Sequence, residues 1–108
     1  MGRLCKDCIM NIAHLMEQVT LLSRLAFDED WKLASYTIEN IKDIVKRLAE
    51  DGCMESKSKQ RIDIYIKELQ ETVEKKQKYG TINTSMHLRT LVLPDIIRET
   101  AKVCQIGE

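Results

Sequence analysis

A chain of 108 residues with 44% apolar and 31% charged residues has the balance of a folded domain and excludes a disordered one. Lysine plus arginine number 17 and so do the acidic residues, which leaves no global field to attract nucleic acid or an anionic membrane, and neither is expected as a partner. One proline, four glycines and 5% aromatics are the composition of helices joined by short turns, within a single domain over residues 1–108.

At the start, Met1, Gly2, Arg3, Leu4, Cys5, Lys6 and Asp7 break into charge where a secretory leader carries its apolar stretch, and the longest apolar run is short. A cytoplasmic protein is expected on that ground.

From Cys5 the series Cys5, Cys8, Ile12, Leu15, Val19, Leu22 and Ala26 alternates steps of three and four residues, which is a sustained helical seam. Leu4, Ile9, Met16 and Leu25 widen that stripe, as a helix facing more than one neighbour requires. The first helix is expected from Leu4 to Ala26. Asp28, Glu29 and Asp30 then supply a cap and first-turn negative charge, and Trp31, Ala34, Ile38, Ile41, Val45 and Leu48 repeat the spacing. Gly52 is the natural stop of this second helix, expected from Glu29 to Asp51.

Ser56 and Ser58 offer caps for a third helix with the seam Ile62, Tyr65 or Ile66, Leu69 and Val73, ended by Gly80. Its other face carries charges of both signs and reads as a solvated surface. The fourth segment, capped by Asn83 or Thr84, carries Met86, Thr90, Leu93, Ile97, Thr100 or Ala101, and Cys104 at helical spacing across Pro94. Persistence of the spacing on both sides of the proline favours one kinked helix, although the ring removes the bond to the Thr90 carbonyl at a cost of about 3 kcal/mol. The alternative is an extended Leu91-Val92-Leu93 stretch with a short helix starting at Pro94. Short connections force antiparallel neighbours, so the fold expected is an all-α, up-and-down four-helix bundle with a kinked or broken fourth helix.

In that topology Cys5, Cys8, Cys53 and Cys104 meet at one end of the bundle. Three fates are open to them. Four thiolates hold zinc or an iron–sulfur cluster, although the lone Cys53 and Cys104 lack the usual second Cys-x-x-Cys half-site. Two disulfides tie the chain ends and a turn to the core, with three pairings available. Buried free thiols simply fill the narrow end of the core. A redox role for Cys5-Lys6-Asp7-Cys8, near Arg3, lacks the βαβ context of a thioredoxin.

His14 and Glu17 stand in the reverse order of the Glu-x-x-His pair of di-iron bundles, without its second copy. At the end opposite the cysteines, Phe27, Trp31, Tyr79 and His87 are expected to gather as a lid or a pocket. Lys57, Lys59, Arg61 and Lys67 form a local basic group interrupted by Asp63 and Glu68, and no glycine-rich phosphate loop or serine-nucleophile motif is present. With no acid, base or nucleophile beside a partner, the expectation is a small non-enzymatic interaction or regulatory domain. A protein partner or self-association as a homodimer would use Leu21, Leu33, Leu88 and Val92, which lie off the main seams. The alternative is a metal-binding or redox-sensing bundle at the cysteine end, and otherwise no cofactor is expected.

Overall fold

The computed structural model describes residues 2–106, and side-chain surroundings for residues 5–102 and 104. Helices α1 (Gly2–Phe27), α2 (Trp31–Glu50) and α3 (Ser56–Glu74) follow the three seams read from the sequence. Helix α4 starts with an α-helical stretch Lys78–His87, passes through a π-helical turn Leu88–Val92 and continues as an α-helix over Leu93–Ile106. Each helix packs on its sequence neighbour and α1 also packs on α4, which closes an antiparallel up-and-down bundle measuring 45 × 21 × 19 Å. No helix among the described residues is long and apolar enough to cross a membrane.

The seams become the core. Cys8, Ile12, Leu15, Val19, Leu22 and Ala26 of α1 and Ala34, Ile38, Ile41, Val45 and Leu48 of α2 are buried, as are Ile62, Ile66, Leu69 and Val73 of α3. Leu4 lies outside the residues whose side chains are described.

The three turns share one construction. Asp30 N–H donates to Leu25 O and Glu29 N–H to Ala26 O, and the same pair of bonds recurs from Cys53 to Leu48 with Gly52 to Ala49, and from Gln77 to Thr72 with Lys76 to Val73. These are Schellman closures, which need a left-handed residue just past the helix. Gly52 fills that place at φ +73°, whereas Glu29 (φ 59°) and Lys76 (φ 55°) adopt it despite their Cβ atoms.

Gly80 therefore does not end α3, as the sequence suggested, but lies inside α4. A Cβ there would sit 3.2 Å from Thr72 Cγ2, so the glycine marks the close approach of α3 and α4. Beside it, the buried Thr72 hydroxyl donates to Leu69 O at 3.1 Å and accepts from Thr81 at 2.9 Å.

Pro94 leaves α4 unbroken. The turn before it widens instead, with Leu93 N–H donating to Leu88 O five residues back, so the disruption that the ring imposes is taken up as a π turn. The Leu91-Val92-Leu93 stretch is helical, not extended. Arg61 Nη2, from α3, donates to Leu91 O at 3.3 Å within this region.

The inward face of α4, which begins at Lys78 and takes an extra residue into its π turn, is only partly the one expected. Leu93 and Thr100 are buried as expected, together with Thr81, Ser85, Leu88, Val92 and Ile96, while Met86, Thr90 and Ile97 are exposed. Leu88 and Val92, expected at an interface, are fully buried core residues.

This inversion separates two neighbouring substitutions. Leu88→Ala is expected to cost about 2 to 5 kcal/mol, as for other large-to-small core changes, and Met86→Ala to stay within about 0.5 kcal/mol. Urea denaturation of both variants checks the assignment, and comparable losses at the two positions would contradict it.

Candidate functional site: the cross-linked end and its groove

Cys5 and Cys8 lie in the first turns of α1, Cys53 follows α2 within the turn to α3, and Cys104 lies in the last turn of α4. The bundle brings all four to one end, where they form two disulfides. Cys5 is bonded to Cys104 with their Cα atoms 5.1 Å apart, and Cys8 to Cys53 at 5.7 Å. Both separations lie in the range a disulfide spans without backbone movement.

Of the three fates open to the cysteines, the structure therefore takes the disulfide one, and no cysteine is left free. A disulfide sulfur is not a thiolate, so a zinc or iron–sulfur site at Cys5, Cys8, Cys53 and Cys104 would first require both bonds to be reduced. Among the described residues no group of three or more His, Cys, Asp or Glu side chains is placed to hold a metal ion.

The two bonds are nested in sequence, with separations of 99 and 45 residues. Closing loops of these sizes is worth about 4 to 5 kcal/mol each in the chain-entropy view, and less than the sum when one loop lies inside the other. Their surroundings differ. Cys8 and Cys53 are shut into the core, whereas Cys5 and Cys104 are half-buried.

Polar contacts hold the same end together. Glu55 precedes α3 without a side-chain cap of its own. The Glu99 carboxylate of α4 supplies one, accepting from Glu55 N–H at 2.8 Å and from the Ser58 hydroxyl at 2.5 Å. A negative charge at a helix N-terminus also suits the helix dipole. Next to Glu99, the Thr100 hydroxyl donates to Cys53 O at 3.2 Å. One turn earlier in α4, Asp95 pairs with Arg61 at 2.6 Å and with Arg98. The α2–α3 turn is thus tied to α1 by sulfur and to α4 by hydrogen bonds.

Beside this end runs an open groove between α1 and α4. Its volume is about 470 Å³, and its walls are Ile9, Ile12, Ala13 and Met16 on α1 with Ile97, Thr100, Ala101 and Cys104 on α4. The Cys5–Cys104 bond closes one end, and further along the same helices Arg89 Nη1 donates to Thr20 Oγ1 at 3.3 Å. Ile9 is 54% exposed, Met16 39% and Ile97 41%. The sequence placed Ile9 and Met16 against neighbouring helices and Ile97 on the inner seam. The apolar stripe of α1 is wider than the bundle covers, and the surplus lines the groove.

The other candidates divide. Leu21 and Leu33 are exposed, on α1 and α2 respectively. Trp31 packs on the core as a lid, but Phe27 and Tyr79 are exposed, with Lys78 Nζ 4.6 Å from the Phe27 ring centroid and 5.8 Å from that of Tyr79. His87 is exposed two turns further along α4, about 12 Å along the axis from Tyr79, and does not join them. His14 and Glu17 lie on the exposed side of α1. Within the basic group, Lys59 is paired with Asp63 and Arg61 with Asp95, which breaks up the local field.

A scan against protein-family models and searches of curated proteins and of solved structures return no match. The functional reading therefore rests on this geometry.

The difference in burial orders the two disulfides. Under native conditions with a mild thiol reductant, Cys5 and Cys104 are expected to become alkylated by iodoacetamide while Cys8–Cys53 stays closed, as read by mass spectrometry. Opening of Cys8–Cys53 first, or of both bonds together, would contradict that order.

Proposed function

We propose that this chain is a small non-enzymatic interaction domain whose working surface is the groove between α1 and α4. The observation that carries the reading is the lining: apolar side chains left open to solvent on a scaffold whose end is braced by two disulfides and the Glu99 cap. Open apolar surface is costly in water, and a groove of this kind between helices suits an amphipathic helix laid into it. A rigid receiving surface lowers the ordering cost of binding.

Redox sensing is the second reading, favoured by the half-buried Cys5–Cys104 bond that borders the groove. Opening it would release the last turn of α4 from α1 beside the binding surface. The disulfides also support residence in an oxidising compartment, or in a hyperthermophile cytosol, over the ordinary cytoplasm expected from the opening residues.

The groove reading is tested by placing charge in it. Ile9→Asp combined with Ile97→Asp is expected to keep helix content and thermal midpoint, because both side chains are substantially exposed. It is expected to abolish binding of the apolar dye anilinonaphthalene sulfonate together with any association of the chain. Dye binding equal in variant and wild type, or a wild type that neither binds dye nor associates, would contradict the proposal.

A further inference from the structure

We infer that a second copy of the chain docks along α1 at the edge of this groove, with its α1 antiparallel to α1 across a two-fold axis; this rests on the exposed apolar surface there being a binding surface. Lys6, Met10, Ala13 and Glu17 follow steps of four, three and four, which makes a second seam on α1, facing away from the buried one. All four are exposed, Met10 at 60%. Ile9 and Met16 flank this seam on the groove side, and Ile97 and Ala101 of α4 form the far wall.

The arrangement of charge selects the partner. Between Lys6 and Glu17 neither the seam nor the groove lining carries a charge, and the two ends carry opposite signs. Eleven residues separate them, about 16 Å along the axis and three turns plus about 20° around it, so both project from one side of the helix. A two-fold axis perpendicular to α1, between residues 11 and 12, maps this strip onto itself. Lys6 then faces Glu17 of the partner copy at both ends, and Met10 faces Ala13 of the partner copy, large against small. Ile9 and Met16 flank the paired helices on the groove side. An antiparallel self-pair needs this inversion of charge, whereas an unrelated apolar ligand does not. The equal count of 17 basic and 17 acidic residues removes net repulsion between copies.

The test is sedimentation equilibrium of the full oxidised chain from micromolar to millimolar concentration, with circular dichroism confirming that every variant is folded. A dimer is expected, and Met10→Asp should leave the chain monomeric. Lys6→Glu and Glu17→Lys should each weaken the dimer about tenfold, since each places like charges at both symmetric pairs. The double variant should restore it, because the swapped charges pair again. A zero-length carbodiimide cross-link should join the Lys6 peptide of one copy to the Glu17 peptide of another. A chain that stays monomeric overturns the inference, and so does a dimer that ignores the single reversals or is not restored by the double variant. If a monomeric chain still binds the apolar dye through Ile9 and Ile97, the groove stands as a binding surface and only the second copy falls.

Discussion

The bond between Cys8 and Cys53 is the constraint around which this end of the molecule is built. It fixes the turn between α2 and α3 on the first turns of α1, inside the core, where both sulfurs are almost fully shut from solvent. With that turn held, Thr100 can reach Cys53 O and Glu99 can cap α3, so α4 is located by contacts on the same few residues. The outer bond from Cys5 to Cys104 joins the first turns of α1 to the last turn of α4 at the same end. A small domain gains from such bracing, since a helix pair such as α3 and α4 meets partly through Thr72 and Thr81, whose burial yields less than that of aliphatic residues. Among the described residues, Ser85 Oγ on α4 is a buried oxygen without a hydrogen-bond partner, a further cost in the core.

The π turn ahead of Pro94 decides what α4 presents on its two sides. It carries the helix past the proline without a break, with Leu88 and Val92 buried on one side of it. The consequence reaches the surface. Ile97 and Ala101 are turned out of the core and toward α1, where they meet Ile9, Ala13 and Met16 as the opposite wall of the groove. The same helix therefore supplies part of the core and one wall of the groove.

How much of this was legible in the sequence depends on where the apolar residues were. The seams of α1, α2 and α3 consist of aliphatic side chains at steps of three and four, and they are buried as their spacing implies. The start of α4 was not legible, because its inward positions Thr81, Thr84 and Ser85 carry no hydrophobic signal and Gly80 imitates a helix stop. From a start placed too late, Leu88 and Val92 read as surface and Met86 as core. Gly52 announced its turn, whereas Glu29 and Lys76 adopt the same left-handed geometry without the residue that usually signals it. The gathering of the cysteines followed from the topology alone, but their bonding did not, since thiols, disulfides and a metal site all satisfy four sulfurs at one end. The groove was hidden in the width of the α1 stripe: Ile9 and Met16 were visible as apolar, and only the packed bundle shows that they are left exposed among the described residues.

The covalent pairing is the most direct point at which to test the account, because both the register of α4 and the placement of the α2–α3 turn must be right for it to form. Non-reducing proteolysis with mass spectrometry reads it on the native chain. The expected result is one linked peptide pair containing Cys5 and Cys104, a second containing Cys8 and Cys53, and no free thiol. Cross-pairing of Cys5 with Cys53 or of Cys8 with Cys104, or four free thiols in protein purified without reductant, would contradict it.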